Sequence, residues 1–522
     1  MSRSRTWSQT FLGVTAAMGL GVGVVSAAIA GYVSPRLSDR PVIPESTLGF
    51  LDPRAGADEP APLEEWLDPW LANPGTDFAD VIEAVPWLCQ EPRVGGVVSL
   101  VASLERSLPE DRPTDIAVGL ALALGGDLDR AAWLRDRAMG DDPPPYANLA
   151  LAVAIPPSET RVEALEREVS LHDSDAARRL VLATLSALGS FEAIDEHLRD
   201  PRYASVADAR LRYERAHRRL DWVGMLQWVG PAQYADVSTV FIALGAVSGL
   251  IWLMVLAYVG DVRTVRSARL ALCLAGLGLG ALSTIPTLVL SVWMEEVLGV
   301  VPADSIVGGF TYYIGSVGLR EELCKLAAFL PLAPLVIRRG DPREALLVAG
   351  CVGLGFAAEE NVSYFAASGA ADVAGRFLTA NFGHAVTTGL AGAWLCRAVK
   401  QPKRFPEFLL VLLALIIGHG VYDALIAIPD VADWSILGGT VYVAAALFYF
   451  EEIHACPRVE PRRVPATAVF VYGLVAMIGC SLVAASWALG FEWAVRTSIP
   501  SLLGAALFTF VFFRAMREPL LP

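Results

Sequence analysis

From residue 237 onward the chain alternates long apolar runs with short polar stretches. The runs fall at approximately 237–258, 268–293, 305–337, 345–367, 376–399, 406–428, 435–453, 465–488 and 497–515. Each approaches or exceeds the roughly 20 apolar residues that carry a helix across a bilayer. Upstream the pattern changes to a helical period with one polar face, over 116–139, 158–171, 175–188, 191–199 and 206–226, which predicts amphipathic helices in water. Residues 34–62, rich in Pro, Asp and Arg and without a period, read as a tether. The first 33 residues combine Arg3 and Arg5, an apolar run from Phe11, and Ala28-Ile29-Ala30, and are expected to act as a signal peptide or signal anchor. The expected fold is therefore all-α: a polytopic membrane protein of nine spans, ten with the amino-terminal segment, carrying an N-terminal extracytoplasmic helical domain. Its expected divisions are 1–33, the soluble stretch 34–236, two spans in 237–300, a four-helix core in 301–430, and three spans in 431–522.

Charge fixes the expected orientation. Residues 34–236 hold 20 Arg and no Lys against 35 acidic residues, a net of −15, while the whole chain carries −14, so nucleic acid is excluded as a partner. Arg263, Arg266 and Arg269 follow the first run, Arg338, Arg339 and Arg343 the third, Arg397, Lys400, Lys403 and Arg404 the fifth, Arg458, Arg462 and Arg463 the seventh, and Arg514 and Arg517 the last. The loops between them, such as Glu295-Glu296 and Asp430 to Asp433, are acidic or neutral. By the positive-inside rule the carboxyl terminus is cytoplasmic and the soluble stretch lies outside, as in a multi-pass protein of the cell membrane. The seven cysteines show neither a disulfide framework nor a zinc motif.

Within the apolar runs, charged and histidine side chains away from the ends gather in four consecutive ones. These carry Glu321, Glu322 and Lys325 with Arg320 beside them, then Glu359 and Glu360, then His384, then His419 and Asp423. A charge at the centre of a bilayer costs about 3 kcal/mol even on the lenient insertion scale, so such groups mark a site. Counting about 1.5 Å per residue from the nearest cytoplasmic arginine puts Glu321, Glu360, His384 and His419 roughly 20–26 Å deep, at one level. Lys325 is four residues from Glu321 and three from Glu322, so on a helix the ammonium is expected to hold one carboxylate and leave the other free. Gly315 and Gly318 predict a break in the unusually long run 305–337.

These residues carry a resemblance. Glu321-Glu322-Leu-Cys-Lys325 is an EExxK motif, Phe356 to Glu360 contains FxxxE, His384-Ala385 opens an HAxxT stretch, and His419 to Asp423 is HxxxD. In this order the set resembles the PrsW family of intramembrane proteases, related to CAAX-prenyl endoproteases and bacteriocin-processing proteins. The resemblance implies peptide-bond hydrolysis inside the membrane. Glu321 or Glu322 would take a proton from water, Lys325 would keep the other ionised, His384 and His419 would hold the water and the oxyanion, and Asp423 would fix the tautomer of His419. Glu360 would complete the water site with Asn361 as a donor. A water activated by glutamate without a metal or other cofactor is the expectation; zinc is the alternative, with Glu321, Glu360, His384 and His419 as ligands. The implied partners are the lipid bilayer and a membrane-anchored protein substrate, an anti-sigma factor among the candidates. In the soluble stretch, AVGLALALGGDLDRAAWLRDRA and AARRLVLATLSALGSFEAIDEHL repeat a helix, a Gly-containing turn and a second helix, which weakly resembles tetratricopeptide-type hairpins.

Other readings stay open. The EExxK run alone suits a helix-end ion pair, and His419 with Asp423 suits an interhelical hydrogen bond. A proton-coupled transporter also collects Glu, Lys, His and Asp at mid-membrane depth, but usually between two inverted repeats, which the consecutive polar runs lack. A catalytically idle scaffold with a partner-binding soluble domain is the third reading.

Overall fold

The computed structural model describes residues 63–73, 75–90, 96–109, 113–235, 237–260, 262, 267–302, 305–368, 370, 372–456 and 466–489. The amino-terminal segment 1–33, the tether up to residue 62 and the run 497–515 lie outside them. The regular structure of the described residues is helix, without a strand, and the chain divides into two compact units, one within 29–236 and one from 237 onward.

In the first unit, short helices pack around a core that includes Leu67, Phe78, Ile82, Leu104, Leu120, Leu165 and Leu182. Local chemistry sets the helix ends. Thr114–Leu124 stops at Gly125-Gly126, Gly126 taking φ +95°, and Asp127 then caps Leu128–Met139 by accepting from the Arg130 N–H. Asp175–Ala187 and Phe191–His197 are likewise joined through a left-handed glycine, Gly189, but Ser190 makes no side-chain cap bond to the second helix. The continuous period read over 206–226 is in fact interrupted. Asp208 caps Ala209–Arg218, Leu220 enters the left-handed region at φ +50°, and Asp221 caps Trp222–Tyr234. Apolar spacing alone does not register these caps.

The helices of the second unit are numbered here: α1 Thr239–Val259, α2 Ala268–Leu282, α3 Thr284–Glu296, α4 Ile306–Tyr312, α5 Leu319–Phe329, α6 Ala333–Arg339, α7 Pro342–Ala367, α8 Val373–Leu378, α9 Ala380–Lys400, α10 Phe405–Ala427, α11 Ser435–His454 and α12 Ala466–Leu489. Among the described residues, four stretches are long and apolar enough to cross a membrane: Thr239–Val259, Ala268–Glu296, Pro342–Ala367 and Pro402–Ala427. This is an all-helical membrane protein. The run 305–337 is helical without interruption from Ile306 to Phe329, through α4, a π-helical turn over Tyr313–Gly318 and α5, and breaks only at 330–332 before α6. The π-helical turn contains both Gly315 and Gly318, where a break was expected, but the helix runs on through it and the break falls after Phe329.

Of the four membrane-length stretches, the one containing α7 is 83% buried and the others 33–56%, which makes α7 the axis of the unit. Its neighbours approach at backbone distance because small residues face it. A Cβ on Gly276 of α2 would meet the Val348 carbonyl oxygen at 2.9 Å, and one on Gly389 of α9 the Leu346 oxygen at 3.0 Å. Asp341 caps α7 by accepting from the Arg343 N–H, with Pro342 at the first helical position. Beneath that end Arg269 of α2 bonds the buried Glu344 at 3.0 Å. Trp252 of α1 donates Nε1–H to the Phe377 carbonyl at 2.6 Å and stacks on Phe382. These contacts tie α1, α2, α8 and α9 to one another and to α7.

Candidate active site

A π-helical turn carries more residues per turn than an α-helix and so rotates the face that follows it. Leaving Tyr313–Gly318, α5 points Glu321, Glu322 and Lys325 inward, while Arg320 points away and donates to Ser291 Oγ at 2.8 Å. Helix α10 closes against the same turn. Gly318 lies where a Cβ would stand 2.6 Å from the Ile416 carbonyl oxygen, and Gly420 where one would stand 2.5 Å from that of Tyr313. This contact brings His419 to α5.

Lys325 is wholly buried and its ammonium donates three hydrogen bonds, to Glu321 Oε2 at 3.1 Å, Glu322 Oε1 at 3.1 Å and His384 Nδ1 at 2.6 Å. It also faces the Phe356 ring at 4.2 Å. The expectation that Lys325 holds one glutamate and frees the other is corrected, because it sits between the two. Its three donors are used up, which fixes its position. Since an ammonium only donates, His384 Nδ1 accepts, and the ring proton lies on Nε2, 3.3 Å from Glu360 Oε2.

The two glutamates differ. The Glu322 side chain has 0% exposure, and its Oε1 accepts from Lys325, from His419 Nδ1 at 2.7 Å and from Thr387 Oγ1 at 3.2 Å. Its Oε2 is buried without a hydrogen-bond partner. Glu322 therefore orients His419 from one side of the ring, in addition to the role expected of Asp423. Asp423 Oδ2 lies at the other ring nitrogen, 3.2 Å from His419 Nε2, and Glu321 Oε2 is 3.6 Å from that nitrogen. Two carboxylate oxygens and a ring nitrogen converge there, so a water hydrogen, a proton or a cation belongs among them.

Glu360 is 24% exposed and accepts from Arg376 Nη2 at 2.8 Å. Asn361, expected to donate into the water site, is committed elsewhere: its Oδ1 accepts from Arg376 Nε at 2.6 Å and its Nδ2 donates to Asn381 Oδ1 at 2.9 Å. Thr388, the threonine of the HAxxT stretch, has a buried hydroxyl without a partner, whereas its neighbour Thr387 makes the contact to Glu322. Sequence reasoning missed Arg376 and Thr387. Arg376 heads the fifth apolar run, where an arginine reads as an ordinary span end; Thr387 is one of two adjacent threonines that only helix phase distinguishes.

Glu321, His384 and His419 are also the described residues whose ligand atoms cluster as a metal site would, all within 4.8 Å of one another. Glu360, the fourth ligand of the zinc alternative, is outside that cluster and is held by Arg376. Two histidines and a glutamate are the donor set of many hydrolytic zinc centres. His419, with its other nitrogen on a carboxylate, has the usual arrangement of a ligand. Glu321, Glu322, Glu360 and Asp423 against Lys325 and Arg376 leave a formal charge of −2 with neutral histidines, which a divalent ion would cancel. The donors fit, with one condition. Ligation through His384 Nε2 needs that nitrogen deprotonated, so the Lys325 bond to Nδ1 must be given up.

Residues 268–451 match the family model described as PrsW family intramembrane metalloprotease. That segment is a PrsW-family domain. No curated protein and no solved structure matches the chain. The match runs from α2 through most of α11, wider than the stretch 300–430 that carries the sequence motifs, and takes in the α2–α7 backbone contact. The cluster of Glu321, Glu322, Lys325, Glu360, His384, His419 and Asp423 lies wholly within the PrsW-family segment.

Proposed function

We propose that this protein is an intramembrane endopeptidase in which Glu321, His384 and His419 form the hydrolytic centre. The observation that carries the reading is the convergence of Glu321 Oε2, Asp423 Oδ2 and His419 Nε2 on one point of a buried, intramembrane space. A water placed there donates its hydrogens to carboxylates and presents its lone pair to an incoming carbonyl. Glu321 takes the proton and returns it to the leaving amine. The choice of Glu321 over Glu322 rests on access: the Glu321 side chain is 8% exposed and linked to one donor, whereas that of Glu322 is sealed and accepts three bonds. His384, with its proton on Nε2, donates to the developing oxyanion. Glu322 holds His419, and Lys325 holds both glutamates in place.

A second reading is favoured by the −2 charge and by the PrsW-family description. In it Glu321, His384 and His419 hold a divalent metal, which when bound polarises a carbonyl and acidifies water. Glu321 is then a ligand, and Asp423 or Glu360, each within 3.3 Å of a histidine ring, accepts the proton.

The substrate class that suits this site is a membrane-anchored protein. Reading depth from the cytoplasmic arginines, the centre lies in the outer half of the bilayer, so the reachable bond is near the extracytoplasmic end of a substrate helix. Residues 34–236, read as lying on that side, are proposed to recruit or select substrates. Co-expression with single-span membrane proteins tests the proposal. Fragments should appear with the parent and vanish with Glu321→Gln, Glu322→Gln and His419→Ala, with a lesser effect from Glu359→Gln. Glu321→Gln cleaving at the parental rate would overturn it. Loss of cleavage on chelation, restored by zinc and matched by one bound metal per chain, would select the second reading.

A further inference from the structure

We infer that Arg376, outside the family motifs noted above, is a positioning residue for this centre; the inference rests on the protease reading. Arg376 comes from the short helix α8 and reaches back to α7. Its Nη2 donates to Glu360 Oε2 at 2.8 Å and its Nε to Asn361 Oδ1 at 2.6 Å, while its guanidinium lies 3.5 Å over the Tyr364 ring. Three contacts from one planar group fix it in both direction and tilt, which a lysine cannot reproduce.

The network behind it has a single polarity. Because Asn361 Oδ1 accepts from Arg376, its Nδ2 donates to Asn381 Oδ1, and Asn381 Nδ2 donates in turn to Ser248 Oγ. Asn361, Asn381 and Ser248 are all fully buried, so each bond lost leaves an unsatisfied group. This chain anchors the guanidinium to α9 and α1. Arg376 in turn sets where Glu360 Oε2 stands, 3.3 Å from the Nε2–H of His384. Lys325 governs one nitrogen of that ring and Glu360 the other, so His384 keeps its tautomer only while both are in place. Arg376 touches no reacting atom in this scheme and acts through Glu360.

The test uses the full chain reconstituted in liposomes with a single-span substrate, measuring kcat and KM for the parent, Arg376→Gln, Arg376→Lys and Glu321→Gln. Outer partners of this kind are typically worth 10- to 100-fold. Arg376→Gln should lower kcat about 100-fold and Arg376→Lys about 10-fold, because the lysine keeps the charge but loses the bond to Asn361. KM should stay within about twofold. A kcat for Arg376→Gln within twofold of the parent would overturn the inference, as would loss of kcat with an equal loss of folded protein in both variants, which marks a structural role. An inactive parent, or a Glu321→Gln variant as active as the parent, would sink the protease reading instead, so the two failures are distinguishable.

Discussion

Replacing Gly318 with alanine should weaken catalysis without unfolding the protein, by moving α10 away from α5. The new Cβ would lie 2.6 Å from the Ile416 carbonyl oxygen and 3.0 Å from the Gly420 nitrogen, whereas ordinary contact begins at 3.4 Å. Both obstacles are backbone and cannot rotate aside, so the helices must separate by about 0.8 Å. Passed on in full, that takes His419 Nδ1 to Glu322 Oε1 from 2.7 Å to about 3.5 Å, beyond useful hydrogen-bond range. A hydrogen bond to a charged group contributes about 1.5–3 kcal/mol, and loss of the group that orients a site histidine typically lowers activity 10- to 100-fold. Overpacking of this size costs roughly 1–3 kcal/mol of stability. The assay is initial-rate cleavage of a single-span substrate in proteoliposomes, with thermal unfolding measured in parallel. Gly315→Ala is the control, since nothing lies within 4 Å of a Cβ at that position of the same turn. Gly318→Ala at a rate within twofold of Gly315→Ala would refute the coupling between helix separation and the His419 bond.

Two further perturbations test other parts of the structure. Arg269→Ala removes one cation from the buried Glu344 and the bonds to Asp341 and the Gly260 carbonyl, leaving Arg339 as the remaining partner. Breaking a buried pair costs about 3–5 kcal/mol, so with Arg339 retained a loss of about 3 kcal/mol should appear as a lower melting temperature in detergent, with kcat little changed. In the first unit, burial pushes the Glu83 carboxyl up to about 7, partly opposed by Arg179. A raised carboxyl binds its proton more tightly in the folded state. The resulting stability is present in full below about pH 4.5 and is lost as pH rises through 7. At about 1.4 kcal/mol per unit this amounts to at most about 3.5 kcal/mol, reduced by the partial exposure of the side chain. Melting the full chain from pH 4.5 to 8 should show that decline in the first unit, and Glu83→Gln should flatten it.

Much of the site was legible because charge inside an apolar run is costly enough to be informative. Glu321, Glu322, Lys325, Glu360, His384, His419 and Asp423 stand out for that reason, and the structure brings them together. Their division of labour was not legible. Helical spacing places Lys325 near both glutamates but does not say which it holds; only the packing of α9, which delivers His384 and Thr387, shows the ammonium filling all three of its bonds. That Glu322 shares the His419 ring with Asp423 was not legible for a similar reason. The i, i+4 spacing from His419 to Asp423 is visible in the sequence, whereas the contact to Glu322 spans 97 residues and depends on the Gly318–Gly420 approach. Arg376 escaped notice because an arginine opening an apolar run looks like a membrane-interface residue. The glycines at 315 and 318 mark an irregularity in the long run but not its break: the helix passes through them as a π-helical turn that re-aims α5, and the interruption comes at 330–332, next to Pro331.

The central claim is that this PrsW-family domain hydrolyses a peptide bond within the membrane at a centre built on Glu321. The most direct measurement reconstitutes the purified full chain in liposomes with a single-span peptide, in water enriched in oxygen-18, and maps the products by mass spectrometry. The account predicts one dominant cut toward the extracytoplasmic end of the peptide's apolar span, with a single heavy oxygen in the new carboxylate and no cleavage by Glu321→Gln. An intact peptide under conditions where the parent protein is folded, or equal cleavage by Glu321→Gln, would contradict it.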